Sequence, residues 1–101
     1  MFATIKNWFA PKTYPRRQVD NMALYYFPSC PYCRVVLSTV KRLNLDIELR
    51  NIHKLDEHKQ ALISGGGKKT VPCLRIEQPN KKVIWMYESI DIAQFLRETF
   101  G

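Results

Sequence analysis

Apolar positions along the first half of the chain fall into three successive rhythms. Residues 22–27 are β-rich and almost wholly apolar, which suits a strand covered on both faces. Over residues 31–43, Val36, Val40 and Leu43, with Leu37 beside them, recur at helical spacing. The pattern predicts a helix with Cys30 at the N-cap and Pro31 at the first helical position, where proline's missing N–H costs nothing. Ile47 and Leu49 then alternate with Glu48 and Arg50, a short strand with one polar face. Strand, helix and strand within about 30 residues have the size of a βαβ unit with parallel strands.

The second half reads differently. Asp56 is placed to cap a helix running through Ile63, which Gly65-Gly66-Gly67 ends. Residues 70–77 and 82–87 read as two strands, and the short Gln78-Pro79-Asn80-Lys81 connection makes them antiparallel. Ser89 is placed to cap a last helix carrying Ile92, Ala93, Leu96 and Phe100 on one side. The expected fold class is therefore α/β, with a four-stranded mixed sheet, β-α-β then α-β-β-α order, and helices on both faces. That domain spans residues 22–101.

Residues 1–21 read as an N-terminal extension, flexible or a short amphipathic helix. Phe2, Ile5, Trp8 and Phe9 fall near one helical face, Pro11 stops the pattern, and the polar stretch up to Asn21 has little to bury. Lys6, Lys12, Arg16 and Arg17 against Asp20 leave +3 there. Such a segment suits weak peripheral contact with an anionic membrane through residues 1–17. No continuous apolar stretch followed by a small-residue cleavage site marks a signal peptide.

Composition narrows the picture a little. With 101 residues, 46% apolar and 25% charged, the chain has room for one ordinary globular domain. Two Trp, five Tyr and five Phe argue against disorder along its length. The net charge of +7 favours anionic partners, but the cations are spread along the chain with nothing longer than a pair, and no nucleic-acid module accompanies them, so nucleic acid is not an expected partner. Three cysteines cannot form a disulfide framework without leaving one over.

Cys30-Pro31-Tyr32-Cys33 carries the chemistry. Two thiols at a helix start face one another across the first turn, and the unpaired N–H groups there stabilise negative charge at the first sulfur. A thiolate is then available near neutral pH, while Cys33, one turn in, should be more buried and less ionised. Two other readings compete: half of a zinc site, completed from Cys73, His53 and His58, or inert core cysteines. Zinc would need about four ligands and no second Cys-x-x-Cys exists, so no metal is expected.

The Cys-Pro-Tyr-Cys run after an apolar strand, followed by Thr70-Val71-Pro72, resembles glutaredoxin, a thioredoxin-fold family, over residues 22–100. A third stretch, Tyr87-Glu88-Ser89-Ile90-Asp91-Ile92, resembles the Glu-Ser motif of glutathione transferase N-terminal domains and of transferase-like glutaredoxins, so the chain leans to that branch. The resemblance implies a cytoplasmic, glutathione-dependent thiol–disulfide oxidoreductase. In it Cys30 attacks and Cys33 resolves. It further implies a cis Pro72, a Val71 backbone that pairs with glutathione, a Glu88 and Ser89 that hold its γ-glutamyl end, and a contact from Tyr32. Glutathione would be the co-substrate, and disulfide-containing or glutathionylated proteins the partners. The alternative is a stand-alone transferase-like domain that binds glutathione or a protein with little turnover. An iron–sulfur carrier is a third class, but it usually goes with another residue in place of Pro31.

Departures from the resemblance are specific. Phe27 stands where many glutaredoxins carry lysine, so the glycine carboxylate of glutathione would need Lys59, Lys68, Lys69 or the amide of Gln60. Cys73 reads as a small apolar strand residue, with a regulatory disulfide as the other reading. His53 and His58 are expected to face solvent, and Trp85 to pack.

Overall fold

The computed structural model describes residues 14–101, so the helical pattern expected over residues 2–9 lies outside the described residues. In chain order the elements are β1 (Arg17–Tyr26), α1 (Pro31–Arg42), β2 (Leu45–Asn51), α2 (Asp56–Gly66), β3 (Cys73–Glu77), β4 (Val83–Met86) and α3 (Ser89–Phe100). The strands form one sheet in the order β2-β1-β3-β4, with β2 parallel to β1 and both β1–β3 and β3–β4 antiparallel. This is the mixed α/β arrangement that the two halves of the sequence predict.

Strand alternation sends successive residues of the inner strands to opposite faces. Leu24 and Leu74 face α1 and α3, where they meet Val36, Val40, Ile92 and Leu96. Tyr25 and Cys73 face the other way, against Leu62 of α2, Ile52 and the partly buried Trp85 and Tyr87. Each face is thus closed by helix, and the two central strands bury both sides. Emptying the first face by Leu74→Ala removes a fully buried side chain, a change that costs about 2–5 kcal/mol.

Several boundaries differ from the sequence expectation. β1 begins at Arg17, five residues before Met22, so the strand reaches into the stretch read as an extension. Arg17, Gln18 and Val19 pair with Leu45, Asp46 and Ile47, and Val19 is buried; the register then jumps to Ala23 opposite Glu48. Residues 20–22 take up that irregularity, and Asp20-Asn21 hide the strand from a reading by alternation. β3 starts at Cys73 and β4 covers only Val83–Met86, both shorter than the pattern suggested. Leu49, expected on the apolar face with Leu45 and Ile47, is 46% exposed, and it lies just past the point where the β1–β2 register shifts. Asp56 is the first residue of α2 rather than its cap, which is Leu55 with no side-chain capping bond. The helix continues through Gly65 and Gly66 and ends at Gly67, whose φ of +86° closes it in the left-handed region. Among the described residues no helix is long and apolar enough to cross a membrane.

Candidate active site

Cys30 is the N-cap of α1 and Pro31 its first residue, as the sequence predicts. The Cys30 sulfur accepts the Cys33 backbone N–H at 3.3 Å, one of the donors that the helix start leaves without an intrahelical partner. The Cys30 thiol in turn points at the Val71 carbonyl, 4.0 Å away. Cys33 is fully buried, and burial, reinforced by hydrogen bonding to Cys30, pushes its thiol up to about 12. The two sulfurs therefore stand in different environments. Cys30 is itself only 5% exposed, so its sulfur lies behind the surface and not open on it.

Sheet register explains how distant parts of the chain reach this helix start. Leu74 pairs with Met86 across β3–β4, so two residues further out Pro72 comes level with Glu88. Tyr25 pairs with Cys73 across β1–β3, so Val71 comes level with Phe27, just before the turn into Cys30. The result is a cleft of about 540 Å³, on whose walls stand Tyr32, Val71, Pro72, Glu88 and Ser89. These are the contact residues the sequence singles out, gathered from three separate segments. The Val71–Pro72 peptide bond is cis.

At the far wall α3 presents its N-terminus. Glu88, in extended conformation, is the N-cap, and Ser89 is the first helical residue, so Ser89 is not the cap it was expected to be. The Glu88 carbonyl takes the Ile92 N–H at 2.8 Å, and its carboxylate makes no capping hydrogen bond. The N–H groups of Ser89, Ile90 and Asp91 lack intrahelical partners, and all three residues line the cleft. An anionic group fits against those amides, and Glu88 and Asp91 offer carboxylates to a neighbouring ammonium.

Other expectations sort themselves against this cleft. None of the groups suggested for a glycine carboxylate, Lys59, Lys68, Lys69 and Gln60, is on the cleft walls, but the Lys68 Nζ lies 5.4 Å over the ring of Tyr87, which is. Cys73 is fully buried and its thiol is pushed up to about 12 by burial, partly offset by contact with the Tyr87 hydroxyl. That hydroxyl donates to the Lys68 carbonyl at 3.3 Å, and burial raises its own pKa above the usual phenol range. His53 is exposed and stacks on Phe27 at 4.3 Å, but His58 is half-buried, edge-on to Tyr25, and does not simply face solvent. Trp85 packs on Tyr25, as expected. Among the described residues no three His, Cys, Asp or Glu side chains gather as metal ligands would.

Thr70, Tyr87, Ile90 and Asp91 complete the cleft and were not singled out as contacts. Behind them lie Gly65 and Gly66, for which the sequence predicts no more than a helix end. A Cβ at Gly65 would run into the Trp85 ring, and one at Gly66 into the Tyr87 hydroxyl, so both glycines let α2 approach the β4 aromatics. The available signal was glycine persisting inside a helical stretch, where it costs about 1 kcal/mol relative to Ala and needs a packing reason.

A four-stranded β2-β1-β3-β4 sheet covered on both faces, with a Cys-capped helix after its central strand and a cis proline opposite, defines a thioredoxin-fold protein. Within that class, residues 24–101 match the glutathione S-transferase N-terminal domain, and the chain belongs to that family. Among solved structures it is similar to Leishmania TDR1, a trimeric glutathione transferase, with 24% identity and a TM-score of 0.64, over 79% of this chain and 18% of that one. A glutathione transferase family member from Pseudomonas fluorescens, solved with two glutathione bound, matches at 19% identity and TM-score 0.63 over 98% and 42%. The glutaredoxin of Archaeoglobus fulgidus matches at 24% identity and TM-score 0.57 over 76% and 86%. The chain thus spans less than half of either transferase but nearly the length of the glutaredoxin. No curated protein sequence matches it.

Proposed function

We propose that the protein is a glutathione-dependent thiol–disulfide oxidoreductase working through Cys30 and Cys33. One observation carries the reading: the Cys30 sulfur, held by the Cys33 N–H at 3.3 Å, touches the Val71 carbonyl on the edge of a cleft that also holds Glu88 and Ser89. The family match and the glutathione-bound relative support glutathione as the occupant of that cleft. Its γ-glutamyl carboxylate would meet the free amides of α3 and its ammonium Glu88, with the cysteinyl backbone along Val71 and Tyr32 and the glycine carboxylate toward Lys68.

The chemistry balances as two exchanges. Cys30 thiolate attacks one sulfur of a glutathionylated substrate, the substrate thiolate leaves and takes a proton, and Cys30 carries glutathione. A second glutathione thiolate then attacks that mixed disulfide, releasing oxidised glutathione and restoring Cys30. With a protein disulfide, Cys30 attacks one sulfur and the other leaves as a thiol. Cys33 then attacks the Cys30 sulfur of that mixed disulfide, closing the Cys30–Cys33 bond and releasing the second substrate thiol. Two glutathione molecules reduce the new bond to give oxidised glutathione. Cys33 must give up its proton to attack, and its raised pKa makes that step the harder one. A cytoplasmic or otherwise reducing, glutathione-containing compartment fits this cycle.

Turnover of a small glutathione mixed disulfide, coupled to glutathione reductase, tests the assignment. Cys30→Ser should abolish it and Cys33→Ser should leave a substantial part; unchanged activity in Cys30→Ser refutes it. The low exposure of Cys30 favours a second reading, a glutathione-binding domain with little turnover. Under that reading wild type and Cys30→Ser bind glutathione equally and neither turns over.

A further inference from the structure

Val71, whose carbonyl faces the Cys30 thiol at 4.0 Å, and Pro72 belong to residues 69–72, which form no helix or strand. These residues bridge the end of α2, closed at Gly67, to Cys73 at the start of β3. Such a segment is placed by the contacts at its ends rather than by a hydrogen-bond ladder. One side chain reaches both ends. The Tyr87 hydroxyl donates to the Lys68 carbonyl at 3.3 Å, just ahead of the segment, and lies against the Cys73 thiol, just after it. Gly66 makes room for that hydroxyl, since a Cβ there would overlap it.

Tyr87 is itself placed from the far wall of the cleft. It sits between Met86, the last residue of β4, and Glu88, the N-cap of α3, and its ring packs on the core around Tyr25 and Leu62. The Lys68 Nζ stands 5.4 Å over the same ring. Filling the space beside that core needs only the ring, so packing does not account for the hydroxyl. Its bond to Lys68 is exposed, where water can take its place, and adds little to the stability of the fold. What the hydroxyl supplies is position. It ties the segment that carries Val71 to the start of α3, where Glu88 and Ser89 stand.

We infer that Tyr87 is a positioning residue for glutathione, its hydroxyl holding residues 69–72 so that the Val71 backbone already faces the ligand when it arrives. The inference rests on the cleft being the glutathione site. Tyr87 acts through Val71 and Lys68 and not on the reacting sulfur. Without the hydroxyl, glutathione has to order the segment itself, which lowers affinity and leaves the exchange at Cys30 as it was.

Tyr87→Phe tests this, because it keeps the ring under Lys68 and removes only the hydroxyl. In calorimetric titration with S-methylglutathione, which has no free thiol to exchange, the Kd should rise about fivefold. In turnover of a small glutathione mixed disulfide, KM for glutathione should rise by a similar factor with kcat unchanged. Backbone hydrogen exchange should quicken at residues 69–71, stay as in wild type along β4 and α3, and slow again when S-methylglutathione is added. Thermal melts establish that the variant is folded. A folded variant with the wild-type Kd overturns the inference, as does a loss of kcat at constant KM, or exchange that quickens throughout the domain. A wild type that does not bind S-methylglutathione overturns it too. A wild type that binds but does not turn over defeats the redox reading instead, and the two Kd values still decide the role of Tyr87.

Discussion

At Cys33 and Cys73, withdrawal from water penalises the thiolate, and both thiols rise from the ordinary 9.0 to about 12. Cys30 differs in having an amide N–H on its sulfur. Alkylation with iodoacetamide at neutral pH should therefore modify Cys30 well before the other two, read by peptide mass spectrometry; first modification at Cys73 would contradict this. The same shifts set a pH dependence of stability. Folded Cys33 and Cys73 hold their protons more tightly than unfolded ones, so the unfolded chain ionises first. Their contribution is complete below about pH 9 and is lost as pH rises from 9 toward 12. Cys73→Ala should flatten that alkaline loss, seen as a smaller fall in the urea midpoint between about pH 8 and about pH 10.5. An equally steep fall in the variant would show that Cys73 is not held protonated by burial.

At the scale of elements, α2 offers a prediction whose sign opposes helix propensity. Gly→Ala inside a helix ordinarily stabilises by about 1 kcal/mol. At Gly66 the new methyl would meet the Tyr87 hydroxyl, and at Gly65 the Trp85 ring, both in rigid aromatic side chains. Gly66→Ala should therefore destabilise by about 1–3 kcal/mol in urea and weaken glutathione binding by shifting Tyr87 on the cleft wall. Stabilisation would show that the close approach is not needed. This case also marks what a linear reading could reach. Cys30 and Pro31 were legible as cap and first residue because capping is local, and the α1 face because its apolar spacing is regular. Val19 was missed because the irregularity at residues 20–22 breaks the alternation that reveals a strand. The cap expected at Ser89 falls one residue earlier, at Glu88, because a serine suits the cap and the first turn alike and only backbone dihedrals separate the two positions. The meeting of Pro72 with Glu88, and of both with Cys30, depends on sheet register, which sequence spacing does not contain; the family resemblance supplied it instead.

For the molecule as a whole, charge and chemistry are segregated. The chain carries +7, yet the described residues on the cleft walls include two acidic side chains, Glu88 and Asp91, and no Lys or Arg. Such a cleft favours a ligand that brings an ammonium beside its carboxylates, as glutathione does. Glutathione at ten times its Kd should stabilise the fold by about 1.4 kcal/mol, raising the melting temperature, and Glu88→Ala/Ser89→Ala should remove most of that gain. Lys68→Ala should raise KM for glutathione several-fold with kcat nearly unchanged. The same melting shift in the double variant would place glutathione elsewhere. The most direct measurement is to mix the protein with oxidised glutathione at neutral pH and map every sulfur by mass spectrometry. A glutathione adduct on Cys30 in Cys33→Ser, and a Cys30–Cys33 disulfide in wild type, are the results expected; an adduct on Cys73, or three unmodified thiols, would contradict the account.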